Sequence, residues 1–240
     1  MLGSLAGKVV VVLGGSSGIG LATARAARAQ GADVVITGRD QTRLQAAQTA
    51  LGGGVRIGQF DAAHENPARE FFDSLPAIDH IFSTAGTLVH DVHLAPSRTE
   101  LRPAMGVRFW AVLYAAKFGA PKMRPGGSFV FMSGTAARRP LAGAAVASAS
   151  CGAVESFARA LTLDLAPLRV NVIQPGYVDT PLFDNLLGDQ RDAILAAAGE
   201  KLPVKRIGRA EEIADAVLFL MKNGYMNGAT LTIDGGGLLV

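Results

Sequence analysis

Short apolar runs alternate with longer amphipathic stretches along the whole chain. The clearest apolar run is Val9–Leu13, four valines and a leucine, which predicts a strand buried on both faces because β-branched side chains suit a parallel sheet. Residues 19–30 follow and are rich in Ala, Leu and Arg, which predicts a helix. Six further runs predict strands at 33–37, 55–59, 79–83, 128–133, 169–174 and 230–234.

Helical patterns fill the intervals between these strands. They predict helices at 41–51, 67–75, 97–120, 144–165, 190–198 and 210–221, with Pro103 near the start of its helix or bending it. The regular alternation indicates an α/β protein. We therefore expect a single Rossmann-type doubly wound domain over residues 1–240, with about seven parallel strands and helices on both faces.

Composition narrows the classes of function. Among 240 residues, 49% are hydrophobic and 18% charged, which favours a large core over disorder. The net charge is +3, but the chain has no cluster of Lys or Arg residues, so we expect no nucleic-acid partner. The positive charge is compatible with an anionic small ligand. The single cysteine, Cys151, argues against disulfides and a cysteine-bound metal. Without a membrane-length apolar run or a signal peptide, we expect a cytoplasmic protein with no metal and no membrane partner.

The turn between the first strand and the first helix carries glycines at the spacing G-x-x-x-G-x-G. Gly14 permits a tight turn, Gly18 lets the backbone approach a pyrophosphate, and Gly20 lets the helix pack closely on the strand. The free N–H groups at the start of the helix attract phosphate. The predicted phosphate-binding residues are Gly14, Ser16, Ser17, Gly18, Ile19 and Gly20.

This turn resembles the cofactor loop of the short-chain dehydrogenase/reductase family, and similar motifs continue along nearly the whole chain. Asp61 resembles the family's aspartate after the third strand, which touches the adenine. The sequence from Ser83 to Gly86 stands at the family's Asn-Asn-Ala-Gly motif. The Pro-Gly motif that starts at Pro175 follows the sixth strand. The resemblance thereby implies cofactor contacts at Asp61, Ala62, Ala85, Gly86, Pro175, Gly176, Val178 and Thr180, the last two holding the nicotinamide carboxamide.

The family transfers a hydride between a nicotinamide cofactor and a small carbonyl or alcohol substrate. It commonly assembles through its two long helices, so the resemblance also implies a homodimer or homotetramer.

The end of the second strand bears on the choice of cofactor. NAD-dependent Rossmann enzymes usually place an acidic residue there for the ribose hydroxyls, whereas this chain has Gly38 followed by Arg39. A guanidinium can pair with a 2′-phosphate, which predicts that NADP(H) is preferred over NAD(H). The alternative is that Arg39 is a solvated turn residue beside Asp40.

The chain departs from the family at four catalytic positions. Ala147 stands for the tyrosine that moves the proton, Cys151 for the lysine, Gly134 for the serine and Arg108 for the asparagine. Arg108 is a candidate to polarise a carbonyl or to restore positive charge, and the alternative is a solvated or ion-paired side chain.

Weaker candidates lie nearby. Ser133 could hydrogen-bond a substrate oxygen or only cap a turn. His90 and His93 follow Gly86 and are candidate substitute acids, although exposed loop histidines are the preferred interpretation. Arg138 and Arg139 would favour an acidic substrate, although a solvated pair is the preferred interpretation.

Three functions remain open at this point. The first is an NADP(H)-dependent oxidoreductase with an atypical active site and a small-molecule substrate. The second is a catalytically silent NADP(H)-binding sensor or scaffold, and the third is a non-redox enzyme that keeps the cofactor as a structural element.

Overall fold

Strand β1 (Val9–Leu13) pairs in parallel with a neighbour on each side. This computed structural model describes residues 3–86 and 96–240, so the candidate acids His90 and His93 lie outside the described residues. The other strands are β2 (Asp33–Gly38), β3 (Arg56–Gln59), β4 (Ile78–Ser83), β5 (Met123–Met132), β6 (Arg169–Pro175), β7 (Val178–Asp179), β8 (Gly208–Arg209) and β9 (Thr230–Ile233).

Helices lie between the strands, as the alternating pattern predicts. They are α1 (Gly18–Ala29), α2 (Gln41–Ala50), α3 (Glu65–Asp73), α4 (Arg98–Gly119), α5 (Ala145–Asp164), α6 (Asp184–Leu187), α7 (Arg191–Lys201) and α8 (Ala210–Lys222). Among the described residues, no helix is both long and apolar enough to cross a membrane.

The main sheet has seven parallel strands in the order β3-β2-β1-β4-β5-β6-β9, which confirms the predicted doubly wound architecture. The chain moves outward from β1 to β3 and then returns to place β4 on the other side of β1. Ligands of such sheets bind at the carboxyl ends of the strands where the order reverses. The cleft between the ends of β1 and β4 is therefore the expected site.

Two apolar layers cover the sheet, and β1 contributes to both. Val10 and Val12 lie in the layer that includes residues of α1 and α8, whereas Val11 and Leu13 lie in the layer that includes residues of α4 and α5. Successive side chains of a strand point to opposite faces. An unbroken valine run is therefore what a strand at this place in the sheet requires.

Two details differ from the sequence-based expectation, and a third, the place of Pro103 near the start of its helix, agrees with it. β5 begins at Met123 rather than at residue 128. β7 and β8 pair as a separate two-stranded parallel sheet beside the main one, and strands this short leave no periodic signal. Pro103 is the sixth residue of α4, which begins after a capping box formed by Ser97 and Glu100.

Candidate active site

The turn between β1 and α1 requires glycine at two of its positions. Gly14 has φ +85°, and a Cβ atom there would lie 2.7 Å from Thr84 Oγ1. A Cβ atom on Gly20 would lie 2.1 Å from the Gly14 carbonyl oxygen. Side chains at these positions would push against neighbouring groups, so the glycines set the shape of the turn and the close seat of α1 on it.

The N-terminus of α1 is open to a ligand. Its N-cap residue, Ser17, makes no side-chain capping bond, and the first turn contains no acidic residue. The first N–H groups of a helix have no partner within the helix and carry partial positive charge. Gly18 faces the segment after β6, because a Cβ atom on it would lie 3.3 Å from Thr180 Cβ. Two of the predicted cofactor segments thus meet here, and Ile19 packs against the core beneath them.

The end of β2 presents a guanidinium with no acidic partner among the described residues. Asp40 is the N-cap of α2, and its Oδ1 accepts a hydrogen bond of 2.9 Å from the Arg43 amide. Arg39 is exposed. In the part of the chain that the structure describes, its backbone carbonyl oxygen, and not its side chain, takes part in a hydrogen bond, which the Gln59 side chain donates. Gly38 lies close to Ser16, since a Cβ atom on it would be 3.3 Å from Ser16 Oγ. Ser16 and Arg39 therefore flank Gly38, where NAD-dependent enzymes usually carry an acidic residue.

The segments after β3 and β4 lie along the same edge of the sheet. Asp61 is half-buried, and its Oδ1 accepts a hydrogen bond of 3.0 Å from the Ala63 amide. Ala62 packs against the core layer below. Thr84 donates its amide to the Leu13 carbonyl oxygen at 2.9 Å, which brings the segment containing Ala85 beside the glycine turn.

The segment after β6 is held on both sides. Gly176 donates its amide to Ile233 in β9 at 3.0 Å. Val178 is buried and pairs with Gly208 in the small sheet. Thr180 is also buried, and its hydroxyl lies 3.4 Å from the Val178 carbonyl oxygen. Pro175, the last residue of β6, brings this segment to the carboxyl edge of the sheet.

Arg108 is neither solvated nor ion-paired in the described part of the chain, contrary to one alternative left open by the sequence. Its side chain on α4 is buried, with 5% of the residue exposed. The guanidinium donates one long hydrogen bond, 3.3 Å, to the Met132 carbonyl oxygen at the end of β5, and its Nε has no partner. A Cβ atom on Gly86 would lie 3.1 Å from this guanidinium. The cation therefore lies against the segment after β4.

Ser133 donates its hydroxyl to a buried carboxyl group that the sequence analysis missed. Its Oγ lies 2.7 Å from Glu155 Oε1 on α5, and Gln174 at the end of β6 donates to the same oxygen. Gln174 in turn accepts a hydrogen bond from the Thr232 hydroxyl. The only sequence signal for Glu155 was its position: it follows Cys151 by one helical turn, so both lie on the buried face of α5.

The positions that the resemblance assigns to the family's tyrosine, lysine and serine are close together and small. Ala147 and Cys151 are both buried on α5. A Cβ atom on Gly134 would lie 3.4 Å from Cys151 Sγ. Gly134 and the thiol thus pack together, and Cys151 serves as a small packing residue on the buried face of α5.

The remaining polar candidates, and one tyrosine near the Pro-Gly motif, have ordinary structural surroundings. Arg139 donates to the Gly237 carbonyl oxygen at 2.6 Å, and Arg138 is exposed. Tyr177 stacks on Phe183 with 6.0 Å between the ring centroids. Among the described residues, there is no group of three or more His, Cys, Asp or Glu side chains arranged to hold a metal ion.

Buried titratable groups also occur at the opposite edge of the sheet. Burial, with a smaller contribution from Arg169, lowers the pKa of His80 to about 4, although the adjacent Asp79 opposes this shift. Burial would raise the pKa of Asp79, but hydrogen bonds from Val9, Lys8 and Arg124 lower it on balance. Asp79 and His80 are the second and third residues of β4, toward its amino end and away from the carboxyl ends where the cleft lies, so they bear on stability.

Comparison with known proteins identifies the family. A family model described as "Enoyl-(Acyl carrier protein) reductase" matches residues 14–237. The chain is 35% identical to the short-chain dehydrogenase/reductase malC of Malbranchea aurantiaca, over 98% of this chain and 96% of that protein. It is 32% identical to the NADP-dependent (R)-specific alcohol dehydrogenase of Lentilactobacillus kefiri, over 98% of each.

Solved structures agree with these matches. The MalC reductase/Diels-Alderase from Malbranchea aurantiaca superposes with a TM-score of 0.90 at 33% identity, covering 98% of both chains. A small-chain dehydrogenase in complex with NADPH superposes with a TM-score of 0.84 at 31% identity, covering 98% of this chain and 100% of that one. With a family model that matches most of its length and relatives above 30% identity along nearly all of it, the chain belongs to the short-chain dehydrogenase/reductase family.

Proposed function

We propose that the protein is an NADP(H)-dependent oxidoreductase acting on a small carbonyl or alcohol substrate, in a site without the family's usual tyrosine and lysine. The observation that carries the cofactor assignment is the open N-terminus of α1 at the point where the strand order reverses. Membership of a family of oxidoreductases supports the reaction class.

The residues along the cleft fit a dinucleotide. The glycine turn and the first amides of α1 would hold the pyrophosphate, Arg39 the 2′-phosphate, and the segments after β3, β4 and β6 the adenine and nicotinamide ends. When bound, the cofactor supplies the hydride. The proposed contacts are Gly14, Ser16, Ser17, Gly18, Ile19, Gly20, Arg39, Asp61, Ala62, Ala85, Gly86, Pro175, Gly176, Val178 and Thr180.

Two relatives support the choice of NADP(H). One is described as NADP-dependent, and one structural neighbour contains NADPH. In this chain the same preference follows from Gly38 and Arg39, because Asp40 is occupied as a helix cap and no carboxylate competes for the guanidinium among the described residues.

The chain's own residues would organise the substrate differently from the family pattern. Ala147 and Cys151 offer neither a phenol nor an amine. Arg108 would polarise the substrate oxygen, and because a guanidinium is permanently protonated it would do so without giving up a proton. The Ser133 hydroxyl donates its one proton to Glu155, so in this arrangement it would meet a substrate only as a hydrogen-bond acceptor.

A second function is a catalytically silent NADP(H)-binding sensor or scaffold. The observation that favours it is the engagement of Ser133 with Glu155, together with the small residues at positions 147 and 151. Cofactor binding is common to both functions, so binding alone does not separate them.

Turnover of NADPH distinguishes the oxidoreductase from the silent binding protein. Purified protein is mixed with NADPH and a panel of aldehydes, ketones and quinones, and NADPH absorbance is followed while binding is measured in parallel. Substrate-dependent oxidation of NADPH with matching product supports the oxidoreductase. Tight NADPH binding without turnover across the panel supports the silent protein, and no NADPH binding contradicts both.

We also propose a homodimer or homotetramer assembled through α4 and α5. A groove of about 580 Å³ runs between the first halves of these helices, and Met105 and Trp110 on its wall are 40% and 44% exposed. Multi-angle light scattering should give two or four chains per particle, and Trp110→Glu should shift the mass toward that of one chain. A single-chain mass for the unaltered protein contradicts this assembly.

A further inference from the structure

We propose that Arg108 is the receptor for an anionic oxygen of the substrate, either a carboxylate or an enolate. This deepens the proposed function, on which it rests, by naming the chemical class of the substrate. Two buried arginines of this fold differ in the hydrogen bonds that they make, and the less satisfied one, Arg108, shares its side of the sheet with another unpaired polar group.

Arg169 is a buried arginine with a structural role, and its hydrogen bonds are all made within the fold. It lies at the start of β6, and its guanidinium donates to the carbonyl oxygens of Leu220, Met221 and Met226 at 2.8, 2.6 and 3.1 Å. Two of these carbonyls belong to the last turn of α8, where a cation is favoured by the helix dipole. A buried charge is tolerated when its hydrogen bonds are made in this way.

Arg108 is equally buried but makes fewer hydrogen bonds. Its one hydrogen bond within the described residues is the 3.3 Å bond to Met132, its Nε has no partner, and no described carboxylate pairs with it. The nearby carboxyl group of Glu155 already accepts hydrogen bonds from Ser133 and Gln174. A buried cation without a paired anion is costly, and no described residue supplies one, so the proposal assigns that role to a ligand.

A second unpaired group lies on the same face of the sheet. Ser83, the last residue of β4, is buried with no partner for its hydroxyl. It follows Ile81 by two positions, so its side chain points to the face that α4 and α5 cover. Arg108 extends from α4 toward Gly86, three residues beyond Ser83. An unpaired hydroxyl and an incompletely paired guanidinium therefore both lie toward the carboxyl end of β4, on the side of the sheet that α4 and α5 cover.

The chemistry of these donors selects the ligand. A guanidinium is a permanent cation with several N–H groups and no acceptor, and it binds carboxylate oxygens better than neutral ones. A neutral ketone would leave the charge uncompensated. A substrate with a carboxylate, or with a carbonyl that exists as an enolate at neutral pH, would supply both the negative charge and the oxygen lone pairs.

The test uses the full chain, with and without saturating NADP⁺, and three probes that are not substrates for reduction. Benzoate carries a carboxylate, dimedone is an enolate at neutral pH, and benzamide is the neutral match for benzoate. Melting temperature and direct titration are measured at constant ionic strength. We expect benzoate or dimedone to raise the melting temperature and benzamide to leave it unchanged. A response to benzoate alone assigns the carboxylate, and one to dimedone alone assigns the enolate.

Two variants locate the effect. Arg108→Met should weaken binding of the responding anion by at least about tenfold, since charge-assisted hydrogen bonds are lost, while NADP⁺ affinity is kept. Arg102→Met removes an exposed arginine from the same helix and should leave anion binding unchanged. If neither anion binds, or if Arg108→Met binds it as well as the unaltered protein, the proposal is overturned.

Stability provides the independent readout. Because no anion among the described residues compensates Arg108, Arg108→Met without ligand should melt no lower than the unaltered protein, whereas Arg169→Met should melt clearly lower. An equal loss in both variants would mean that Arg108 serves structure, which overturns the proposal. Failure to bind NADP⁺ would instead refute the proposed function, and the anion measurements without NADP⁺ would still decide the role of Arg108.

Discussion

Replacing Arg39 with alanine tests the choice of cofactor. Arg39 is exposed at the end of β2, and among the described residues its guanidinium has no acidic partner to be released before it meets a phosphate. A charge-assisted pair contributes about 1.5–3 kcal/mol, and solvent exposure places Arg39 at the lower end of that range. Since about 1.4 kcal/mol corresponds to tenfold, Arg39→Ala should weaken NADPH binding by roughly ten- to thirtyfold.

The assay is a fluorescence titration of each variant with NADPH and with NADH, which lacks the 2′-phosphate. Arg39→Ala should change the NADH dissociation constant less than about twofold. Arg56→Ala is the matched control, because it removes an exposed arginine at the opposite end of the neighbouring strand, where it pairs with Asp33 at 2.9 Å. Equal weakening of both cofactors by Arg39→Ala, or an equal effect of Arg56→Ala on NADPH, would refute the assignment.

Two further predictions concern the turn and the buried histidine. Gly20→Ala would force a Cβ atom against the Gly14 carbonyl oxygen, so it should lower the melting temperature and weaken NADPH binding at least about tenfold. The control variant Gly152→Ala, which has open space at its Cβ, should change neither. Unchanged NADPH affinity in Gly20→Ala would contradict the role of the turn. Because the pKa of His80 is about 4 in the folded protein and about 6.5 when unfolded, its contribution to stability is present above pH 6.5 and is lost as the pH falls toward 4. Urea unfolding should show a loss of about 3 kcal/mol from this residue by pH 4, and the same pH dependence in His80→Gln would contradict it.

The alternation of apolar and helical patterns was sufficient to predict the main fold. Val9–Leu13 could be recognised as a strand covered on both faces because no polar residue interrupts it. The short strands Val178–Asp179 and Gly208–Arg209 could not, since a strand of two residues has no period and depends on tertiary contacts.

The site was predictable in part, for a similar reason. The role of Gly14, Gly18 and Gly20 could be predicted from their spacing at a strand–helix junction, which can be recognised in the sequence. The pairing of Ser133 with Glu155 joins residues 22 positions apart, one just after β5 and one on α5, and no local sequence feature predicts it. For Arg108, the sequence left solvation, ion pairing and entry into the cleft open, because burial is decided by how α4 packs on the sheet.

The most direct test of the central claim is a titration of the purified, unaltered chain with NADPH and NADH side by side. We expect saturable binding of one NADPH per chain, with a dissociation constant at least about tenfold below that for NADH, because NADPH adds one phosphate pair. Equal affinity for the two cofactors, or binding of neither, would contradict it.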